Sequence, residues 1–268
     1  MQPLANVTSL NTAMRDGAIQ ISGVSQIYQT SGQDVAAVSD VSFEVKPGRF
    51  VVLVGPSGCG KSSLLMMMAG LRRPTAGTML ISGAPIDVPD PDRVGVVFQE
   101  PSLFPWLSAE ENVEFPLALR GISKKERRAK AQEALRLVGL EGFGKRHPHE
   151  LSGGMKQRVS IARGLVQDPP VLLMDEPFAA LDERTRMTMG DELLRIWTAT
   201  RKTIVFVTHS LTEAVYLADE VVVMSARPGR IVDRLEVTLP RPRTFEMLSG
   251  DAFGNLRDRI WRHIRKST

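Results

Sequence analysis

A glycine-rich segment constrains the fold of this chain more than any other sequence feature: Gly55-Pro56-Ser57-Gly58-Cys59-Gly60-Lys61-Ser62. It matches G-x-x-x-x-G-K-[ST], a pattern that cradles nucleotide phosphates when it joins a buried strand to a helix. Residues 50–54 are apolar and predict the strand, and residues 63–69 predict the helix. The segment therefore favours a nucleoside triphosphate site over a glycine-rich turn with an incidental Lys-Ser pair.

The residue types in this segment suit phosphate chemistry. Glycine allows the backbone to curl so that successive amide groups point at phosphate oxygens, and the following helix adds the positive end of its dipole. Lys61 supplies a compact charge for the β- and γ-phosphates, and the Ser62 hydroxyl supplies a ligand for Mg²⁺. Ser63, the next residue, is included in the predicted nucleotide site.

Length and composition indicate a large soluble domain. A chain of 268 residues is expected to bury about 70 to 75% of its unfolded surface. Cys59 is the only cysteine, which excludes an internal disulfide and fits a reducing compartment. We expect no membrane-spanning run and no signal peptide. The net charge of +4 is too small to indicate nucleic acid by itself, and we predict no nucleic-acid partner.

The two ends of the chain differ from its middle. Residues 1–17 show no periodicity and are predicted to form an N-terminal arm. Residues 237–268 are predicted to form a basic tail, since positions 240–268 hold seven Arg or Lys and three Asp or Glu. A solvated helix explains such a tail, and contact with an anionic membrane surface or a partner loop is the alternative.

Polar side chains follow three predicted buried strands, at the point where each strand ends. They are Gln99, the pair Asp175 and Glu176, and His209. In an α/β sheet the carboxyl ends of the strands meet at one edge, so we expect these side chains to converge there. Two carboxylates at the end of a buried strand require a cation or a proton, and a metal–phosphate site provides the cation. A purely structural histidine is the alternative for His209.

A second glycine turn opens a helix further along the chain, within Leu151-Ser152-Gly153-Gly154-Met155-Lys156-Gln157-Arg158. Ser152 is a favourable N-cap, and Gly153 and Gly154 expose backbone amides, so a second anion site is predicted. Between the two glycine turns, residues from 100 onward have helical periodicity and are interpreted as an insertion. Within it, Ser123-Lys124-Lys125-Glu126 predicts a capping box at the start of a helix.

With these motifs together, residues 18–236 resemble the ATP-binding subunit of ABC transporters. Residues 151–158 match the signature motif of that family and are more specific than the phosphate loop. The order of the motifs along the chain is also that of the family. The resemblance implies a P-loop NTPase of α/β class, with a mostly parallel sheet core, an antiparallel β subdomain and a helical subdomain inserted at about residues 100–160.

The resemblance implies ATP and Mg²⁺ as ligands and assigns roles to matching positions. Tyr28 would stack on adenine, although a core aromatic is the alternative. Ser62, Gln99 and, through water, Asp175 would hold Mg²⁺. Glu176 would polarise the attacking water, with Gln99 near it, and His209 would sense the γ-phosphate.

Other matching positions would act on a second subunit. Ser152, Gly153, Gly154 and Asp182 would bind the ATP held by a second copy, or by a similar ATPase subunit, in a head-to-tail dimer. Ala179 departs from the glycine found in many relatives, which bears only on local loop geometry.

The resemblance also implies an ATPase on the cytoplasmic face of the inner membrane, bound to permease subunits and acting indirectly with an extracytoplasmic solute-binding protein. Residues 100–107 contain aromatic and proline residues and either seat a short permease helix or form a packed loop. Other transporter classes, a non-transport ABC ATPase and a binding module without turnover are the alternatives.

Two segments are similar to the ATPases of nitrate, sulfonate and taurine importers: residues 191–197 and 225–231. Both are expected to lie away from the nucleotide. The similarity implies import of a small solute such as a sulfonate, taurine, nitrate or a pyrimidine-like precursor.

Overall fold

The computed structural model describes residues 16–29 and 32–266, and within them the strands form two sheets. The predicted N-terminal arm lies outside the described residues except for Asp16 and Gly17. The strands in chain order are β1 (Ile19–Gln29), β2 (Asp34–Val45), β3 (Phe50–Val54), β4 (Ala76–Ile81), β5 (Ala84–Pro85), β6 (Val94–Val97), β7 (Val171–Asp175), β8 (Thr203–Val207), β9 (Glu220–Met224) and β10 (Ile231–Glu236).

The helices connect these strands and cover the larger sheet. They are α1 (Lys61–Met68), α2 (Ala109–Leu119), α3 (Lys124–Leu137), α4 (Gly153–Leu165), α5 (Glu183–Thr200), α6 (Leu211–Leu217) and α7 (Asp251–Lys266), with short 3₁₀ turns at Pro148–Glu150 and Phe245–Ser249. Across the described ranges, we find no helix whose length and apolar character would allow it to cross a bilayer.

The larger sheet has the order β10-β9-β3-β8-β7-β6, and all of its strands except β10 are parallel. Strands β3 and β8 are buried along their whole length, which explains their uninterrupted apolar sequences. Registers that pair Leu53 with Val207, and Met174 with both Val97 and Phe206, bring the carboxyl ends of these strands to one edge. The predicted parallel core is confirmed.

The smaller sheet is antiparallel, with the order β2-β1-β4-β5, and shares a hydrophobic core with α1 and one face of the larger sheet. Met67 and Met68 on α1 are fully buried in this core, as their apolar neighbours in the sequence predict. The antiparallel β subdomain expected from the resemblance is therefore present. Its position places the end of β1 beside the start of α1.

Helices α2, α3 and α4 pack on one another between β6 and β7 in the chain, and form the predicted helical insertion. A full capping box starts α2, where Ser108 and Glu111 bond to each other's backbone amides. The predicted box at α3 is only half formed. Ser123 accepts from the Glu126 amide at 3.3 Å, whereas the Glu126 carboxylate pairs with Lys130 at 3.1 Å. A lysine one turn along the helix thus competes for the carboxylate.

The basic C-terminal segment packs on the core. Phe253 and Ile260 of α7 are buried against the helical face of the larger sheet. Arg243 is only 7% exposed, and its guanidinium donates to the carbonyl oxygens of Val215 (3.0 Å) and Tyr216 (2.8 Å) at the end of α6. Burial lowers the pKa of Arg243 to about 10. Arg243 therefore stabilises the fold, whereas Arg257, Arg259 and Arg262 of α7 are exposed, as the solvated-helix interpretation predicts.

Candidate nucleotide site

The phosphate loop connects β3 to α1 and requires glycine at its last turn. Gly60 has φ +98°, a left-handed conformation. A Cβ atom there would lie 2.6 Å from Val38 Cγ2 and 2.7 Å from the Ala37 carbonyl oxygen. Because β2 approaches so closely, a larger residue at position 60 would displace either the loop or the strand.

Lys61 is the first residue of α1 and is 6% exposed. Its ammonium donates to the carbonyl oxygens of Gly55 (2.8 Å) and Pro56 (3.0 Å), so it holds the loop closed around its own charge. Cys59 is buried beside it, with Sγ 3.8 Å from the Lys61 Nζ atom. Burial raises the pKa of the Cys59 thiol above its usual value. The thiol is therefore a neutral filler in the loop.

A cavity of about 500 Å³ lies over the loop and is bounded on the opposite side by the small sheet. Tyr28, Val35 and Ala37 line that side. The Tyr28 hydroxyl is 2.8 Å from Ser63 Oγ, and the Arg72 guanidinium carbon lies 4.7 Å from the centre of its ring. Tyr28 is thus fixed at the cavity wall, with a cation over its ring, and it also packs against the hydrophobic core beneath the small sheet, as the core-aromatic alternative expects.

Ser62 and Asp175 bring two oxygen donors together beneath the phosphate loop. Ser62 Oγ donates to Asp175 Oδ1 at 3.0 Å. Burial, and secondarily the charge of Glu176, raise the pKa of Asp175, while its bond from Ser62 and the charge of Lys61 act in the opposite direction. A divalent cation would compensate this buried charge, and a hydroxyl and a carboxylate are the hard oxygen ligands that Mg²⁺ prefers. The residues present therefore fit Mg²⁺.

Glu176 lines the cavity and pairs with His209, which does not line it. His209 Nδ1 lies 3.0 Å from Glu176 Oε2. Glu176 has φ +44° and its amide donates to the Val207 carbonyl at 3.0 Å, so the backbone turns sharply as it leaves β7. Left-handed backbone at a non-glycine residue costs free energy and is concentrated at functional sites. This turn brings the Glu176 carboxylate to the cavity, which it lines.

Several predicted site residues lie outside this cavity in the described structure. Gln99 follows β6 and is exposed. Ser152 caps α4 by accepting from the Met155 amide at 3.3 Å, and Ser152 and Gly153 are exposed while Gly154 is buried. Asp182 is exposed and caps α5. The chain therefore brings together the phosphate-loop residues, Tyr28, Asp175, Glu176 and His209, and leaves the second glycine turn on the surface.

Arg227 belongs to the cavity, although residues 225–231 were expected to lie away from the nucleotide; for Arg227 that expectation is wrong. The side chain lines the cavity, and its Nε atom donates to the Gly58 carbonyl at 2.7 Å. Gly229 lets this segment approach the phosphate loop, since a Cβ atom there would lie 1.9 Å from the Cys59 carbonyl oxygen. The Gly229 amide also donates to Ala37 at 2.9 Å. In the sequence, Arg227-Pro228-Gly229 was the feature that could have indicated this close approach to the phosphate loop.

The segment after Gln99 is held in place from two sides. The Phe104 amide donates to the side chain of Asn112 at 2.8 Å, and Arg163 donates to the carbonyls of Pro101 (2.7 Å) and Ser102 (2.9 Å). Trp106 is nevertheless 70% exposed. The segment is thus an ordered loop that presents an aromatic side chain at the surface.

A family model described as "ABC transporter" matches residues 38–179. An uncharacterised ABC transporter ATP-binding protein of Methanocaldococcus jannaschii is 49% identical over 225 residues, 84% of either chain. The aliphatic sulfonates import ATP-binding protein SsuB of Bacillus cereus is 42% identical over 248 residues, which cover 92% of this chain and 96% of the relative.

Two further similarities are informative. The taurine import ATP-binding protein TauB of Burkholderia pseudomallei is 48% identical over 218 residues, covering 81% of this chain and 84% of the relative. A solved dimeric ATP-binding cassette in a post-hydrolysis state, bound to ADP and Pi, superposes with a TM-score of 0.73 at 33% identity, covering 83% of this chain and 100% of that one.

Proposed function

Because this chain belongs to the ABC transporter family and is the ATP-hydrolysing subunit of such a transporter, we propose that it drives the import of a small solute of the sulfonate or taurine type. The observation that carries its hydrolytic part is the Glu176–His209 pair beside the phosphate-loop cavity. The names of the similar import proteins support the class of solute, which a permease and a solute-binding protein would select.

ATP is proposed to lie in the cavity with adenine on Tyr28 and its phosphates along residues 55–63. Ser62, Asp175 through water, and Gln99 would hold Mg²⁺, which neutralises charge on the β- and γ-phosphates when bound. The raised pKa of Asp175 and its contact with Ser62 support this assignment. Gln99 would have to move inward from its exposed position to take part.

Glu176 is proposed to orient and polarise the attacking water, and its position at the end of β7 supports that role. General-base assistance of this kind contributes about 10² to 10⁴ in rate. His209, 3.0 Å from the Glu176 carboxylate, fixes its orientation and can itself donate to a γ-phosphate oxygen. Because phosphoryl transfer depends mainly on positioning and on charge stabilisation, these two side chains would account for the hydrolytic step.

A second copy of the chain, or a similar subunit, is proposed to complete the site. Ser152, Gly153 and Gly154 would bind the γ-phosphate held by the partner, with Asp182 at the same junction. Their separation from the cavity in this chain and the dimeric state of the solved cassette support this arrangement. Hydrolysis would remove the charged group that those amides bind, so the interface would open.

The subunit is proposed to contact permease subunits at the cytoplasmic face of the inner membrane through residues 100–107. The exposed Trp106 and the fixed loop around it support a docking role. A Ser102→Cys variant should cross-link to a permease loop in a nucleotide-sensitive manner. Glu236→Cys, on β10, is the matched exposed control and should not cross-link. Absence of any nucleotide-sensitive product at position 102 would count against this contact.

The proposed function is tested by combining this chain with a permease and a solute-binding protein of the sulfonate or taurine type. After reconstitution in proteoliposomes, taurine or an alkanesulfonate should stimulate ATP hydrolysis and enter the vesicles, and the Glu176→Gln variant should do neither. If nitrate alone stimulated hydrolysis, the proposed solute would be nitrate, within the same group of importers. No stimulated hydrolysis with any of these solutes would contradict the proposal.

A further inference from the structure

A buried charged cluster connects two loops of the nucleotide site without lining the cavity itself. At its centre is Glu213 of α6, which is 9% exposed. Its Oε1 atom lies 3.4 Å from Arg186 Nε, on α5, and its Oε2 atom accepts a hydrogen bond from the Thr208 hydroxyl. One carboxylate therefore contacts both the helix that follows Asp182 and the residue that precedes His209.

On one side, the cluster holds the loop that ends at Asp182. The Arg186 guanidinium donates to the Leu181 carbonyl at 3.0 Å, and the Arg186 amide donates to the Asp182 carbonyl at 2.8 Å. Arg186 Nε is buried and is not aligned for a hydrogen bond to Glu213. The pair is therefore held by charge attraction across 3.4 Å and not by a directed hydrogen bond from Nε.

On the other side, the cluster holds both neighbours of His209. The Thr208 hydroxyl, which donates to Glu213, also accepts from the Ser210 amide at 2.9 Å. Ser210 Oγ in turn accepts from the Glu213 amide at 3.3 Å. Thr208 is 2% exposed, so this connection is shielded from water. Both residues that flank His209 in the chain are therefore hydrogen-bonded to Glu213.

The burial of Glu213 makes its two contacts interdependent. Burial raises the pKa of this carboxyl above its usual value, while the bond from Thr208 and the charge of Arg186 act in the opposite direction. A buried carboxylate that loses one partner is left with uncompensated charge, which is costly. Movement of the Leu181–Asp182 turn would therefore change the electrostatic environment of the Glu213 carboxylate, which holds Thr208.

We propose that Glu213 is a positioning residue that couples the Asp182 loop to His209 within one subunit. This inference rests on the proposed function, in which the Asp182 loop faces a second subunit and His209 faces the γ-phosphate. Docking of the partner then favours the orientation of His209 that supports hydrolysis, and departure of the γ-phosphate is transmitted back to the interface. The isolated subunit should bind ATP without help from this cluster.

The test uses the full chain and Glu213→Gln, which keeps the shape and an acceptor for Thr208 but removes the charge that faces Arg186. We expect turnover to fall by between about threefold and thirtyfold, with ATP affinity of the isolated subunit unchanged. In a Glu176→Gln background, ATP-driven association should weaken by a similar factor. The control is Glu110→Gln, because Glu110 is also 9% exposed and pairs with Arg128 in the helical insertion. It should leave turnover unchanged.

A second pair of variants keeps the test decisive if Glu213→Gln folds poorly. Thr208→Val should lower turnover without changing ATP affinity, and Thr208→Ser, which retains the hydroxyl, should restore it. Wild-type turnover and association in Glu213→Gln and Thr208→Val, or a loss no larger than that of Glu110→Gln, would overturn the inference. Failure of the wild-type chain itself to hydrolyse ATP would instead overturn the proposed function.

Discussion

The N-termini of α1 and α4 both carry a glycine turn, and the two turns differ in how fully the rest of the chain encloses them. The turn before α1 is enclosed: Lys61 is buried, bonded to its own loop, and covered by the small sheet. The turn before α4 is open: Ser152 supplies its cap, and Gly153 is exposed. The first turn is therefore the proposed ATP site within one chain, whereas the second turn is proposed to meet ATP held by another subunit. The contrast separates what a subunit is proposed to do alone from what is proposed to need a partner.

Glu176→Gln should give the largest effect and tests both turns at once. We expect turnover to fall at least about a hundredfold, because the general base is lost. ATP binding at the enclosed turn should persist, and ATP should hold two copies together. Phosphate release and analytical ultracentrifugation with Mg-ATP measure the two outcomes. Normal turnover would remove Glu176 from its proposed role.

Lys61→Ala should disable the enclosed turn. Loss of a charged group that contacts phosphate lowers ATP affinity by about tenfold to a hundredfold. Equilibrium binding of a fluorescent ATP analogue measures this loss, and a thermal melt serves as the folding control. If the affinity were unchanged, the enclosed turn would not be the phosphate site.

Gly153→Ala should affect the open turn alone. A Cβ atom at Gly153 meets only Leu181 Cδ2 at 3.7 Å, an ordinary contact, so the subunit should fold and bind ATP normally. Association in the Glu176→Gln background should weaken by about tenfold, because the methyl group occupies the surface proposed to meet the partner's γ-phosphate. Gly60→Ala is the matched change in the enclosed turn, and it should abolish ATP binding by the monomer. Equal effects of the two changes would remove the distinction between the turns.

Arg227→Ala should have the smallest effect and would show how far the enclosed turn depends on a residue outside the sequence motifs. Because Arg227 is exposed and one of its bonds supports the loop at Gly58, we expect ATP affinity to fall by about two- to fivefold. Arg230→Ala, an exposed neighbour, is the control and should bind ATP as the wild type does. An unchanged affinity for Arg227→Ala would limit this side chain to a structural role.

Much of the enclosed site could be predicted from the sequence because its parts are local. The phosphate loop is continuous, and the buried parallel strands are uninterrupted apolar runs whose last residues must meet at one edge. Asp175, Glu176 and His209 follow such runs and lie close together, whereas Gln99, which also follows one, is exposed and does not line the cavity. Their convergence therefore required only the assumption of a parallel sheet, which the structure confirms.

What could not be predicted depends on contacts between distant parts of the chain. The bond between Arg227 and Gly58 spans 169 positions, and no periodicity marks it. The pairing of Glu213 with Arg186 joins two helices whose relative position is set by the sheet. The half-formed capping box at Ser123 shows that a local pattern can also mislead. The sequence pattern was present, but Lys130 pairs with the Glu126 carboxylate that would have completed the box.

The arginine contacts at the end of α6 bear on where this protein can be shortened. A fragment ending at Glu236 would retain all the nucleotide motifs, but it would lack Arg243 and leave the Val215 and Tyr216 carbonyls without those donors. It would also expose the surface that Phe253 and Ile260 cover. The smallest fragment that keeps α6 supported thus extends well beyond the last motif and includes Arg243, Phe253 and Ile260.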